Sequence, residues 1–383
     1  MRAFYGTGLK IVPAIQYRDH AIPRRSSSGY FRPANRPMKK ILYLLPLILA
    51  ACGSPAPAPE PPPVMETRMV NVYSHRHYDV DKQLFAQFTE KTGIQVNVIQ
   101  AGDDEIMARL EQEGQKSPCD VFITADAGRL GLAKTRDLLQ ASKSEVLNAN
   151  IPAALRDPEG FWFGLTMRAR VIAYNKEKVK PEQITTYADL TAAKWKGKVL
   201  VRSSENVYNQ SLLAAMIAHD GPEAAEAWAK GIVANMAREP KGGDTDQLLA
   251  IGEGIGDVAI ANSYYIGKLM AAEEPEKQKA KSLIGVVFPA MGAHGTHVNV
   301  SGGGVAKYAP NPAEAIALLE FLSGDEAQKL FAEGNKEYPV KAGIAPAAEL
   351  AVFGTFTPDS LNLEALARFN AEAVKRFDAA GWR

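Results

Sequence analysis

The residues best equipped for chemistry stand at three turns where an apolar, strand-like run gives way to a helical pattern. The stretch "SHRHYD" supplies His75, His77 and Tyr78 after the first such run, and "ENVYNQS" supplies Tyr208 after "GKVLVRSS". The stretch "GDVAIANSYYIGKLM" places Tyr264 and Tyr265 side by side, with Asn262 and Ser263 before them as candidate helix caps. In open α/β sheets ligands bind outside the carboxyl ends of the strands, so residues in these turns can meet. Neighbours within a strand face opposite ways, so the tyrosine pair fits the junction better than the strand interior.

A single tyrosine is usually a packing residue, and Tyr208 shares an i, i+4, i+8 spacing with Leu212 and Met216, which is a core stripe. Four phenols and an imidazole gathered at related turns point further. Phenol ionises near pH 10, so a tyrosine cluster needs a cation acidic enough to displace the protons. Hard, highly charged Fe³⁺ meets that need, whereas calcium and magnesium prefer carboxylates, and zinc and copper(I) favour imidazole or sulfur. Three phenolates neutralise Fe³⁺, and a neutral imidazole from His77 adds a donor without adding charge. His294 and His297 in "GAHGTHVN" offer either a second metal pair or a glycine-rich loop. The chain carries no HExxH, no G-x-S-x-G and no other nucleophile motif, so binding is expected rather than catalysis.

The compartment follows from the first residues. In "MKKILYLLPLILAACGS", Lys39 and Lys40 precede an apolar run over 41 to 49, and Leu49-Ala50-Ala51-Cys52 ends in cysteine. The run is shorter than the roughly 20 apolar residues needed to span a bilayer. It resembles the bacterial lipoprotein signal, in which cleavage leaves the cysteine N-terminal and lipidated, so Cys52 is the expected anchor. Residues 1 to 37 are basic and patternless and read as an upstream extension. The Pro-rich stretch "GSPAPAPEPPPVMET" after Cys52 reads as a semi-rigid spacer from the membrane.

Residues 1 to 51 hold nine of the 44 Lys and Arg and one of the 43 acidic residues, so the remainder carries a net charge of −7. That balance speaks against nucleic-acid binding and suits an exported protein meeting cations. With Cys52 lipidated, Cys119 in "PCDVFIT" is left as a lone thiol, expected to be a small buried side chain.

With 46% hydrophobic and 23% charged residues the chain can bury a core, and its length suggests about two domains. From residue 69 onward strands and helices alternate. Strands are expected at 69–74, 94–100, 120–125, 162–174, 198–202, 257–261 and 283–288. Helices are expected over 79–93, with Leu84, Phe85 and Phe88 on one face, over 103–114, and twice near 311–334. This rhythm predicts an α/β protein with parallel-rich sheets and helices on both faces.

The segments "SHRHYDVDKQLF", "FGLTMRARVIAYN", "VRSSENVYNQSL", "GDVAIANSYYIGKL" and "VSGGGVAKYAPNP" resemble the ferric-ion-binding proteins of bacterial iron ABC transporters. That group has a histidine-tyrosine dipeptide, a middle tyrosine and a tyrosine pair, in this order. The resemblance covers residues 69 to about 345 and most of the tail. It implies Tyr78, Tyr208, Tyr264 and Tyr265 as phenolate ligands of Fe³⁺, His77 as a further ligand, and Arg168 as a support for the ligands or for carbonate or another small anion. It implies a two-lobed periplasmic binding protein of type II, with mixed sheets, helices on both faces and a two-crossing hinge. The lobes would be 69–166 plus 292–341 and 167–291 plus 342–383, with "FWFGLTMRARV" and the segment near residue 291 as the crossings. The expected protein is a lipid-anchored monomer of the periplasm or cell envelope, serving an inner-membrane ABC permease and its ATPase. Two readings from other classes stay beside it: a carrier of the same fold for a small organic or oxyanionic solute or an iron chelate, with helix N-termini such as that near Ser203 suited to anions, and an enzyme using tyrosine and histidine as acid and base.

Overall fold

The computed structural model describes residues 68–383; Cys52, the signal-like run before it and the Pro-rich spacer lie outside the described residues. The first strands and helices follow the sequence pattern closely. Strand β1 (Met69–Ser74) leads into α1 (Asp79–Thr92), whose first turn carries Asp79 and Asp81 at the positive end of the helix and which stops at Gly93 with φ 71°. Val80, Leu84 and Phe88 bury one face of α1 while Phe85 is half-buried. Strand β2 (Gln95–Gln100), α2 (Asp103–Glu113), β3 (Val121–Thr124), α3 (Ala127–Thr135) and α4 (Glu145–Asn150) complete this part. Cys119 is fully buried, as its apolar setting in the sequence predicts.

The long strand β4 (Phe163–Asn175) follows, then β5 (Val199–Leu200), α5 (Val207–Asp220), α6 (Pro222–Asn235), α7 (Asp244–Glu253), β6 (Val258–Asn262), α8 (Ser263–Ala271), α9 (Pro275–Leu283) and β7 (Ile284–Val287). The chain ends with β8 (Val298–Val305), α10 (Pro312–Ser323), α11 (Asp325–Asn335), β9 (Tyr338–Pro339), α12 (Ala348–Ala351) and α13 (Glu364–Ala380). The strand order is β2-β1-β3-β8-β4-β6-β5, with β7 and β9 also paired to β4.

The expectation of parallel-rich sheets is corrected. Strand β1 pairs in parallel with β2 and β3, and β5 with β6, but every pairing of β4 and β8 is antiparallel. The reason lies in β4, which is buried along nearly its whole length, as expected of a strand covered on both faces. Its first half, Phe163–Ala169, pairs with β8, and from Arg170 onward it pairs with β6 and then β7. One strand thus serves two sets of partners, and the change of partner falls between Ala169 and Arg170. In β8, a Cβ on Gly302 would collide with the Phe163 carbonyl and one on Gly304 with the Phe161 carbonyl, so the glycine run permits the close approach of the two chains.

Charge is buried where these elements meet. Arg76, 4% exposed, donates from Nη2 to Asp81 Oδ1 at 3.0 Å and from Nη1 to Glu337 Oε2 at 3.0 Å. Burial pushes the Glu337 carboxyl up, yet Arg76 and Arg168 outweigh it and hold the group below the usual glutamate range. Removing one partner of a buried pair leaves an uncompensated charge. Glu337→Ala is therefore expected to cost about 3 kcal/mol in urea unfolding at pH 7. A wild-type midpoint would show that the pair carries no weight.

Candidate metal centre

Four phenols stand at the starts of three helices. Tyr78 is the N-cap residue of α1, Tyr208 is the second residue of α5, and Tyr264 and Tyr265 are the second and third of α8. Each start follows a strand or a strand-like run, as the turn rule requires. Free backbone N–H groups and the helix dipole make such positions favourable for negative charge. Asn262 and Ser263, expected as side-chain caps of α8, do not cap it. The Asn262 oxygen accepts from Arg170 Nη1 at 3.2 Å, and Ser263 Oγ accepts from the Ala169 N–H at 3.2 Å. The helix expected near Ser203 starts at Val207, where the Asn206 side chain accepts from the Tyr208 N–H.

These turns open on one cleft of about 350 Å³, lined by His75, Arg76, His77, Tyr78, Ala125, Tyr208, Tyr264, Tyr265 and Lys268. All five side chains singled out as donors line it. The hydroxyls of Tyr208 and Tyr264 lie 3.3 Å apart, and the Tyr264 and Tyr265 rings 4.2 Å between centroids. His77 is exposed and stacks on Tyr78 at 5.6 Å. Its Nδ1 lies 3.2 Å from the His75 carbonyl oxygen; with the proton assigned to Nδ1, that nitrogen donates to the carbonyl and leaves the Nε2 lone pair free for a ligand. Tyr208 faces the cleft, whereas Leu212 and Met216 below it are core.

Arg168 does not line the cleft. It is 1% exposed, beneath the Tyr208 ring at 5.6 Å, and its Nη1 donates to Ser301 Oγ at 3.1 Å while Nε and Nη2 have no hydrogen-bond partner among the described residues. Arg170, two residues on and therefore on the same face of β4, lies 5.9 Å from that ring, and Arg202 lies 5.3 Å from it. Arg170 and Arg202 both reach Asp244, at 2.7 and 3.5 Å. His294 and His297 do not join a metal site. His294 stacks on His219 at 3.9 Å, and His297 is buried, its imidazole held down to about 3 by burial and the neighbouring Arg170 and Arg168. Among the described residues no three His, Cys, Asp or Glu side chains are placed to hold a metal.

Sequence reasoning missed Arg76, Lys268, Arg170 and Arg202. A signal existed for two of them. Arg76 stands inside "SHRHYD", and Lys268 follows Tyr264 by four residues, one turn along the same helix face.

Comparison with known proteins adds an independent line. A family profile described as "Bacterial extracellular solute-binding protein" matches residues 83–354. The chain is 46% identical to "Iron uptake protein A1" of Synechocystis sp. over 336 residues, 88% of this chain and 93% of that one. Its structure is similar to "Trichodesmium (IdiA) (FutA) in complex with iron and citrate ligands", with a TM-score of 0.80 and 51% identity over 82% of this chain and 100% of the other. It is also similar to the ferric iron-binding protein A of Mannheimia haemolytica in an open conformation, with a TM-score of 0.77 and 46% identity over 82% and 99% of the two chains.

Burial favours the neutral form of three of the phenols, Tyr78, Tyr208 and Tyr264. Burial pushes Tyr264 well above the ordinary phenol value, with the other three phenols adding to the shift. Burial likewise raises Tyr208, against the opposing Arg168, and raises Tyr78 together with Glu337, against Arg76. A group whose folded pKa is raised contributes stability in full below its unfolded value of about 10 and loses it as pH rises through the folded value. The protein should therefore lose stability above pH ~10, and Tyr264→Phe, which cannot ionise, should flatten that alkaline limb in chemical denaturation. An unchanged limb would show that Tyr264 is not the group responsible.

Proposed function

The chain belongs to the bacterial extracellular solute-binding protein family, and we propose that within it this protein captures ferric ion in the phenol cleft for delivery to an inner-membrane ABC permease and its ATPase. The observation that carries this reading is the meeting of His77, Tyr78, Tyr208, Tyr264 and Tyr265 on one cleft, a donor set matched to a hard trivalent cation. The names of its relatives, an iron uptake protein and a protein complexed with iron and citrate, support it. The ion is cargo, held for transfer and chemically unchanged, so the role is not enzymatic.

In this reading the four tyrosines bind as phenolates and His77 as a neutral imidazole. Arg168 acts from beneath Tyr208, stabilising its phenolate or helping to hold carbonate or another small anion. Residues 69–166 plus 292–341 form one lobe and 167–291 plus 342–383 the other, with β4 and the segment near residue 291 as hinge. Tyr78 then comes from one lobe and the other three phenols from the second, so the ion favours closure by binding the closed state better. The protein works as a monomer in the periplasm or cell envelope, tethered to a membrane through a lipid on Cys52.

Holo-protein should be coloured by phenolate-to-Fe³⁺ charge transfer. Because each neutral phenol must lose its proton to bind, loading should release about three or more protons per ion, and affinity should rise with pH. Purified protein saturated with ferric ion but colourless, or loading without proton release, would rule out tyrosinate ligation.

Ferric affinity in anion-free and in bicarbonate buffer separates the two versions of the shell. With His77 as a direct ligand, wild type needs no anion and His77→Ala becomes weaker and anion-dependent. With an anion held by Arg168 instead, Arg168→Ala is the damaging change. Tyr264→Phe and Tyr265→Phe should each weaken binding at least tenfold, about 1.4 kcal/mol, in either buffer. Wild-type affinity in both would remove the tyrosine pair from the site.

A further inference from the structure

Two cations line the cleft, and they are held very differently. Arg76 is neutralised by Asp81 and Glu337. Lys268, half-buried on α8, makes no ion pair or hydrogen bond among the described residues. Its ammonium is held by tyrosine faces, 4.4 Å from the centroid of Tyr78 and 5.3 Å from that of Tyr264. Those two rings belong to the helix starts of α1 and α8, so one lysine touches phenols from separate parts of the chain. Lysine reaches this place because the one-turn step from Tyr264 puts it on the same helix face. An ammonium taken partly out of water is costly unless something replaces its hydration, and here aromatic quadrupoles supply the replacement.

We propose that Lys268 is the empty cleft's stand-in cation, occupying the phenol faces until the cargo displaces it. The inference rests on the ferric reading of the same cleft. A trivalent ion at the phenol oxygens and an ammonium over the same rings repel each other strongly in a partly desolvated space. The four-carbon stem lets the ammonium swing out to water when the ion enters. Its return lowers the barrier to unloading. Lys268 is thus an internal competitor that limits how tightly the cargo is held, which serves a protein that must hand its cargo on.

The test measures ferric affinity and the rate of release to a chelator for wild type, Lys268→Met, Lys268→Gln and Lys268→Arg in the full chain. Both neutral variants should bind about tenfold tighter and release correspondingly more slowly, while the arginine variant, which keeps the cation, stays near wild type. A purely structural lysine would move the methionine and arginine variants together. Neutral variants that bind ferric ion as wild type does or more weakly, or an arginine variant that tightens like the others, would overturn the proposal. A wild-type protein that fails to bind ferric ion would instead overturn the reading of the cleft itself, before any variant is compared.

Discussion

The packing of guanidinium groups beneath and beside the phenols is the interaction on which the rest of this structure depends. Arg168, Arg170 and Arg202 approach the Tyr208 ring, and Arg76 the Tyr78 ring at 4.9 Å. Buried cations must be matched, and the fold does so with carboxylates brought from distant parts of the chain: Asp81 and Glu337 for Arg76, Asp244 for Arg170 and Arg202. Asp244 also accepts the Asn262 N–H at 2.7 Å, at the end of the strand that delivers the tyrosine pair. The same contacts that satisfy the charges therefore set the positions of the phenols.

Two opposing forces act on those phenols. Burial favours the neutral form, while helix starts and neighbouring cations favour the phenolate. In this structure burial prevails and the hydroxyls can share hydrogen bonds, as Tyr208 and Tyr264 do. In the proposed reading a trivalent ion tips the balance by placing three positive charges at one point among the phenol oxygens, where the protons it displaces are held one to each oxygen. In that reading ion binding and release are coupled to protons because the same oxygen atoms would bind both.

The alternation of β1, α1, β2, α2 and β3 was legible to within a residue or two, because period-2 and period-3.6 patterns there are uninterrupted and the stop signal at Gly93 is unambiguous. The direction of pairing for β4 and β8 was not. A buried strand reads as an apolar run whichever way its neighbours point, and the partners of β4 lie more than eighty residues away in the chain, from Val258 paired with Tyr174 onward. The caps on α8 were misread for a related reason: local rules assign Asn262 and Ser263 to the helix they precede, but Arg170 and the Ala169 N–H, far in sequence, take their oxygens.

The sequence by itself determined the residue types at the cleft and their addresses. Strand-to-helix turns and residue types are local properties, so Tyr78, Tyr208 and the pair Tyr264 and Tyr265 could be marked as converging donors from one chain alone. Tertiary structure decided the electrostatic state of those donors. Which cation is paired with carboxylates, as Arg76 is, which lies under a ring, as Arg168 does, and which rests against aromatic faces, as Lys268 does, depends on distances between segments that no local pattern encodes. Coulomb and desolvation energies vary over a few ångströms, and only the folded chain sets ångströms.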